Sequence, residues 1–129
     1  MKKYAITNEA LLGPAHGPYS QALVSGPLFF TGVIGSTAER DPVSDQVYDQ
    51  TIQIFKNTQA LLEEAGGSLA DIVKVTVYLL QMSDFDEMNR AYREMLTQRP
   101  LPARATIAVK EMLPGIKVEM EIVAMLNDG

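Results

Sequence analysis

Pro100-Leu101-Pro102-Ala103-Arg104-Ala105-Thr106 runs into a short apolar segment. Beyond Leu113-Pro114-Gly115 the chain resumes as Lys117-Val118-Glu119-Met120-Glu121-Ile122. Both segments alternate as β-strands do, yet each carries charge where a core strand is expected to be apolar. A charge in a buried strand needs a partner. Arg104 and Glu119 therefore serve each other, or they serve a ligand. If the first strand starts at Arg104, then Arg104, Thr106, Ala108 and Lys110 share one face, and Ala105, Ile107 and Val109 the other. In the last strand Lys117, Glu119, Glu121, Val123 and Met125 lie opposite Val118, Met120, Ile122, Ala124 and Leu126. The second of these sets belongs under helices, which would put both Arg104 and Glu119 on a helix-free face.

The rest of the chain supplies the helices. Residues 1–20 contain Gly13-Pro14 and Gly17-Pro18 and read as an ordered loop or short edge strand, not a helix. Ala22–Ser25 and Leu28–Ile34 are apolar, Gly-bounded and read as two strands turned at Gly26-Pro27. A polar loop with Asp41-Pro42 follows. From Ser44 to Ala65, Val47, Thr51, Ile54, Phe55, Thr58, Leu61 and Leu62 recur at helical steps, with Ser44 as N-cap and Gly66-Gly67 as stop. Ser68-Leu69-Ala70-Asp71 has capping-box spacing. Ile72–Leu80 is β-branched, with Val73, Val75, Val77 and Leu79 expected on one face. A second helix is expected from Ser83 to about Gln98, with Phe85, Met88, Tyr92, Met95 and Leu96 along one side. The order is ββαβαββ. This is an α+β pattern, a mixed sheet with both helices on one face of it. The other face also carries apolar residues, so a further surface must cover it, most simply another subunit.

Composition narrows the function classes. A chain of 129 residues fits one domain, residues 1–129. It has 47% hydrophobic and 21% charged residues, and no cysteine, which excludes disulfides, thiolate nucleophiles and cysteine metal sites. A net charge of −5, with no basic run beyond Lys2-Lys3, argues against nucleic acid. No uncharged stretch is long enough to match the roughly 20 apolar residues of a membrane span, and no apolar segment follows Met1-Lys2-Lys3 as in a signal peptide. A cytoplasmic location is expected. No residue cluster has metal-ligand spacing, and no phosphate-cradling or nucleophile-elbow motif occurs, so neither metal nor cofactor is expected.

The candidates for chemistry are few. A guanidinium presents a fixed fork that matches a carboxylate, so Arg104 on a rigid strand could anchor a small carboxylate substrate. Glu119 could position or deprotonate water. On pattern alone the same two residues also fit a cross-strand pair on a solvated face. Tyr19 follows a stiff Gly17-Pro18 and fits either a pocket rim or a turn that covers the edge of the core. His16 is the only histidine and reads as a surface loop residue. Asn89 reads as an exposed helix position, and the seven methionines as core filler.

Taken together the motifs resemble the RidA/YjgF family of reactive-intermediate deaminases over nearly the whole length. The resemblance rests on Gly17-Pro18-Tyr19-Ser20-Gln21-Ala22, on Gln50-Thr51 and Asn57, and on Ala65-Gly66 with Ser68, Leu69 and Asp71. It continues through Val77-Tyr78-Leu79, Asn89 with Tyr92, Pro102-Ala103-Arg104, Leu113-Pro114 and Val118-Glu119-Met120-Glu121. It implies a fold similar to trimeric chorismate mutase, a homotrimer that buries the helix-free face, and active sites between subunits. It implies hydrolysis of 2-aminoacrylate-type enamines and imines, released by pyridoxal-phosphate enzymes, to 2-keto acids and ammonia. Arg104 would then bind the substrate carboxylate, Glu119 would hold the attacking water and Tyr19 would line the pocket. Asn89 and Thr106 would contribute to binding; Thr106 stands where many members have cysteine. A non-catalytic trimer that binds small 2-keto acids is the alternative. Phe29-Phe30-Thr31-Gly32-Val33-Ile34-Gly35 departs from the Phe-Thr-Ser-Gly-Gln common in the family, and the loop Ser36–Ser44 differs from its usual Asp-Pro-x-Thr-Gly.

Overall fold

The sheet has the strand order β1-β2-β3-β6-β4-β5 in the computed structural model, which describes residues 2–127. Met1, Asp128 and Gly129 of the expected 1–129 domain lie outside them. The strands are β1 (Lys3–Ile6), β2 (Ala22–Ser25), β3 (Leu28–Ile34), β4 (Ile72–Leu79), β5 (Ala103–Ala108) and β6 (Val118–Met125); the helices are α1 (Glu9–Leu12), α2 (Val47–Glu64) and α3 (Phe85–Met95). The expected ββαβαββ core is present. The edge strand β1 and the single-turn α1 precede it, and α1 corrects the expectation that residues 1–20 contain no helix. Asn8 makes that turn possible by accepting the Leu11 N–H at 3.0 Å on its side chain.

Helix α2 starts three residues later than expected. Ser44 does not cap it. Its Oγ accepts the Gln46 N–H at 3.0 Å and donates to Asp49 at 2.8 Å, which turns the chain into the helix from outside. Ile54, Phe55, Leu61 and Leu62 of α2 are fully buried, as are Met88 of α3 and the strand residues Phe29, Val75, Val77, Leu79 and Met120. Each such side chain contributes roughly 1.5–3 kcal/mol of transfer free energy. Phe55 and Tyr92 meet edge to face at 5.5 Å, which joins α2 to α3 over the sheet.

Two register details matter for the site. The β4–β6 pairing slips between Ile72 and Lys74, so Val73 turns outward and is exposed, against the expectation that it shares a face with Val75. More importantly, β5 pairs in parallel with β4, Val75 opposite Arg104 and Val77 opposite Thr106. The unit β4-α3-β5 is thus a strand–helix–strand crossover, and β4 separates β5 from β6. The helix-free face displays Phe30, Met125 and Ile107, all exposed. No helix among the described residues is long and apolar enough to cross a membrane.

Candidate functional site

Arg104 and Glu119 do not meet within one chain. They sit on strands separated by β4, and Arg104 is level through Val75 with Ile122, three residues along β6 from Glu119, so their backbones lie roughly 14 Å apart in the plane of the sheet. They also point to opposite faces. Arg104 is opposite Val75, a residue buried beneath the helices, and its guanidinium donates to Asn89 Oδ1 of α3 at 2.7 Å. It also lies 4.8 Å from the centre of the Tyr92 ring and 5.6 Å from that of Phe85. Glu119 is opposite Ile34 and Tyr78 on the helix-free side. The expectation that both share the helix-free face is corrected for Arg104, and the cross-strand pair is excluded within the chain. The alternation along β5 was right but the face was not: its apolar side, Ala105 and Ile107, is turned away from the helices.

Each charge is left without its opposite. Among the described residues Arg104 pairs with no carboxylate, the ion pairs there being those of Arg90 with Glu87 and Glu94. Beside Arg104 the buried hydroxyls of Thr106 and Tyr92 have no hydrogen-bond partner. Asn89, which sequence left undecided, is the residue that aims Arg104.

Glu119 belongs to a different surface, a cleft of about 400 Å³ lined by Tyr19, Gly32, Ile34, Arg40, Leu113 and Glu119. Its walls are fixed by buried polar side chains. Gln21 accepts the Asn8 N–H at 2.8 Å and donates to the Gly13 carbonyl at 2.6 Å, which holds the 8–20 loop against β2. Gly13 has φ 73, and a Cβ there would lie 2.1 Å from the Ala38 carbonyl oxygen, so only glycine lets the loop carrying Tyr19 touch the loop that follows β3. On the opposite wall Gln50, fully buried in α2, donates to the carbonyls of Ser44 and Gly115 and accepts the Lys117 N–H. That sets Leu113 over the cleft. Asn57 donates to the carbonyls of Ile34 and Ser36, both at 3.2 Å, and so fixes the end of β3. Gln50 and Asn57 are thus positioning residues for the cleft. Gly32 in the departed β3 motif, opposite Glu121, exposes bare backbone to the cleft, with open space where a side chain would stand.

The two carboxylates of β6 divide in role. Glu121 accepts a hydrogen bond from Tyr78 Oη at 2.5 Å, and that bond, with burial, raises the tyrosine's pKa. Glu119 accepts no hydrogen bond from the described residues. More than a third of the residue is accessible where it lines the cleft, and partial burial first and the Glu121 charge second raise its pKa. A raised, unpaired carboxyl facing a cleft can hold and deprotonate water. Tyr19 is half exposed at the rim and accepts a hydrogen bond from Arg40 at 3.1 Å. His16 is exposed, as expected. No cluster among the described residues could hold a metal ion. Arg40 escaped the sequence reading; the signal was a polar tight loop with no glycine where a reversal needs one.

Comparison with known proteins gives one consistent result. A family model described as Endoribonuclease L-PSP matches residues 9–126. A RutC family protein of Aquifex aeolicus is 45% identical over 111 residues, covering 84% of this chain and 89% of its own. A 2-iminobutanoate/2-iminopropanoate deaminase of Dermatophagoides farinae is 33% identical, covering 86% of this chain and 88% of its own. The crystal structure of the yjgF gene product of E. coli superposes with a TM-score of 0.87 at 31% identity, covering 96% of this chain and 99% of that one.

Proposed function

The chain belongs to the RidA/YjgF family, and on that premise we propose that it hydrolyses 2-imino acids and their enamine tautomers to 2-keto acids and ammonia, at sites formed between subunits of a homotrimer. The observation that carries the reading is the separation of Arg104 from Glu119: an unpaired cation and a raised, unpaired carboxyl, on opposite faces, each complete only when a second chain brings up the other. One subunit gives the cleft with Glu119 and Tyr19. Its neighbour gives Arg104, held by Asn89, with the Thr106 hydroxyl beside it. The exposed Phe30, Met125 and Ile107 supply apolar surface for that contact.

The chemistry asks little of the protein. Arg104 takes the substrate carboxylate on its fork and fixes C2 near Glu119. Glu119 accepts a proton from water as the water oxygen bonds to C2 and the C=N π pair moves to nitrogen, which takes up that proton to give a carbinolamine. The C2 hydroxyl proton then passes to nitrogen as the C–N bond breaks and the C=O bond forms, so ammonia leaves and the 2-keto acid remains. Tyr19 caps the rim and limits access of bulk water. The proposed setting is the cytoplasm, where pyridoxal-phosphate dehydratases release such intermediates. A net charge of −5 gives no support to RNA as the substrate, whatever the description of the family model.

The test couples a serine or threonine dehydratase to the protein and follows keto-acid appearance with wild type, Arg104→Ala and Glu119→Gln. Acceleration by wild type alone supports the reading. No acceleration by wild type, with keto-acid binding intact, replaces the enzyme with a non-catalytic binding protein.

A further inference from the structure

The loop after β3 folds back over the cleft as a tight reversal. Ser36 bridges Pro42, and the Val43 N–H donates to the Gly35 carbonyl at 2.9 Å. Inside that frame the Thr37 N–H donates to the Asp41 carbonyl and the Arg40 N–H to the Thr37 carbonyl, both at 2.9 Å. A reversal of this length ends on a left-handed residue, for which glycine is the ordinary choice. Here it is Arg40, with φ 73, the one non-glycine residue of positive φ among those described. A strained conformation held by an unsuitable residue points to a use for its side chain.

That side chain is well placed. Its Nη1 donates to Tyr19 Oη at 3.1 Å, and it lines the same cleft as Glu119. Among the described residues it pairs with no carboxylate. One donor of the fork goes to Tyr19, and the others remain for a ligand.

We propose that Arg40 binds a second, distal carboxylate of the substrate, so that the site selects 2-imino acids with an acidic side chain over those with short apolar ones. The inference rests on the imine-hydrolysing reading and names its substrate class. The α-carboxylate is taken by the neighbour's guanidinium and the distal one by Arg40, with C2 between them facing Glu119. The reaction is unchanged: water adds at C2, the C–N bond breaks, ammonia leaves, and the distal carboxylate takes no part.

The test separates binding from turnover. 2-Oxoglutarate and 2-oxopentanoate share a five-carbon chain and differ at C5, and calorimetry on the assembled wild-type protein, Arg40→Gly and Arg40→Lys gives their dissociation constants. Arg40→Gly suits the left-handed backbone and removes the whole side chain, the guanidinium and its bond to Tyr19 included. Wild type is expected to bind the dicarboxylate at least about tenfold tighter, Arg40→Gly to lose that ratio, and Arg40→Lys to keep part of it. No preference in wild type, a preference that survives in Arg40→Gly, or an equal loss for both ligands overturns the proposal. Imines made in place by a flavin oxidase from D-glutamate and D-norvaline then report the kcat/KM ratio, which is expected to follow the binding ratio. If neither imine is hydrolysed faster while the binding ratio behaves as stated, the deaminase reading fails and the assignment of Arg40 stands.

Discussion

If the two halves of the proposed site come from different chains, mixing two inactive variants should restore activity. Arg104→Ala removes the proposed carboxylate anchor, and Glu119→Gln removes the proposed water holder but keeps its shape. Truncating one partner of a charge pair that forms with the substrate costs about 2–5 kcal/mol, or roughly 30-fold to several-thousand-fold in kcat/KM, so each variant alone should be close to silent. Each site of the proposed trimer needs Glu119 from one subunit and Arg104 from the next. In a one-to-one mixture, the first position holds Arg104→Ala with probability one half, and the second holds Glu119→Gln with the same probability, so about a quarter of all sites, and about one third of those in doubly tagged trimers, are fully wild type. The assay co-expresses the two variants with different tags, isolates doubly tagged assemblies and couples them to the dehydratase. The structure makes zero the alternative value: within one chain the residues lie on opposite faces with β4 between them. If doubly tagged assemblies show no more activity than the separate variants, the shared site is refuted. If either variant alone keeps near wild-type activity, its assigned role is refuted.

Three further outcomes follow from the same geometry. Glu119 has its folded pKa raised by burial and by Glu121, so the folded state holds its proton more tightly than the unfolded chain; its contribution to stability is present below the ordinary glutamate range and lost as pH rises through the raised value. Glu119→Gln should therefore melt higher than wild type at pH 7, with the gap closing as pH falls below that range, and the acid limb of the activity profile should move down in Glu121→Gln; a gap that widens on acidification contradicts the sign. Gly13→Ala should cost about 2 kcal/mol or more, since the new Cβ meets the Ala38 carbonyl oxygen at 2.1 Å on a left-handed backbone, and thermal unfolding several degrees lower, with activity reduced through the Tyr19 loop, is the measurement. Gln50→Ala leaves the carbonyls of Ser44 and Gly115 and the Lys117 N–H without their partner and should cost roughly 3 kcal/mol in denaturant unfolding; a loss under about 1 kcal/mol would mean that water replaces all three bonds.

Much of the fold is legible in the sequence because period and punctuation agree. The α2 stripe with Gly66-Gly67, the Gly-bounded apolar run of β3 and the alternation of β6 each predict an element that the structure contains. The β5–β6 relationship is not legible from Leu113-Pro114-Gly115, which suggests adjacent strands around a turn. A better guide was available: a strand at 72–79, a helix at 85–95 and a strand at 103–108 form a crossover, and such a unit puts its second strand parallel and next to its first. That would have moved Arg104 away from Glu119 before any coordinates. The Val73 bulge has no comparable signal, because it depends on what the partner strand requires, and the left-handed Arg40 shows in the sequence only as the lack of a glycine in a tight polar loop.

The misplaced face of Arg104 has a physical cause. Ordinarily the apolar side of a strand packs under the helices, and along β5 that rule fails. Ile107, on the apolar side, is 48% exposed, while Arg104, on the charged side, lies half-buried against two aromatic rings and an asparagine. For an isolated chain both placements are unfavourable: an isoleucine is left in water, and a cation is desolvated with no anion. A neighbour docked on the outer face would cover Ile107 and, in the same contact, would bring a second chain's Glu119 cleft to the edge where Arg104 waits for a carboxylate. One missing surface thus accounts for both violations. It also makes oligomeric state and substrate binding one question, so that Ile107→Asp, remote from any reacting atom, should abolish assembly by light scattering and dehydratase-coupled activity together; a monomer that retained activity would separate them and remove the reason for reading Arg104 and Glu119 as one site.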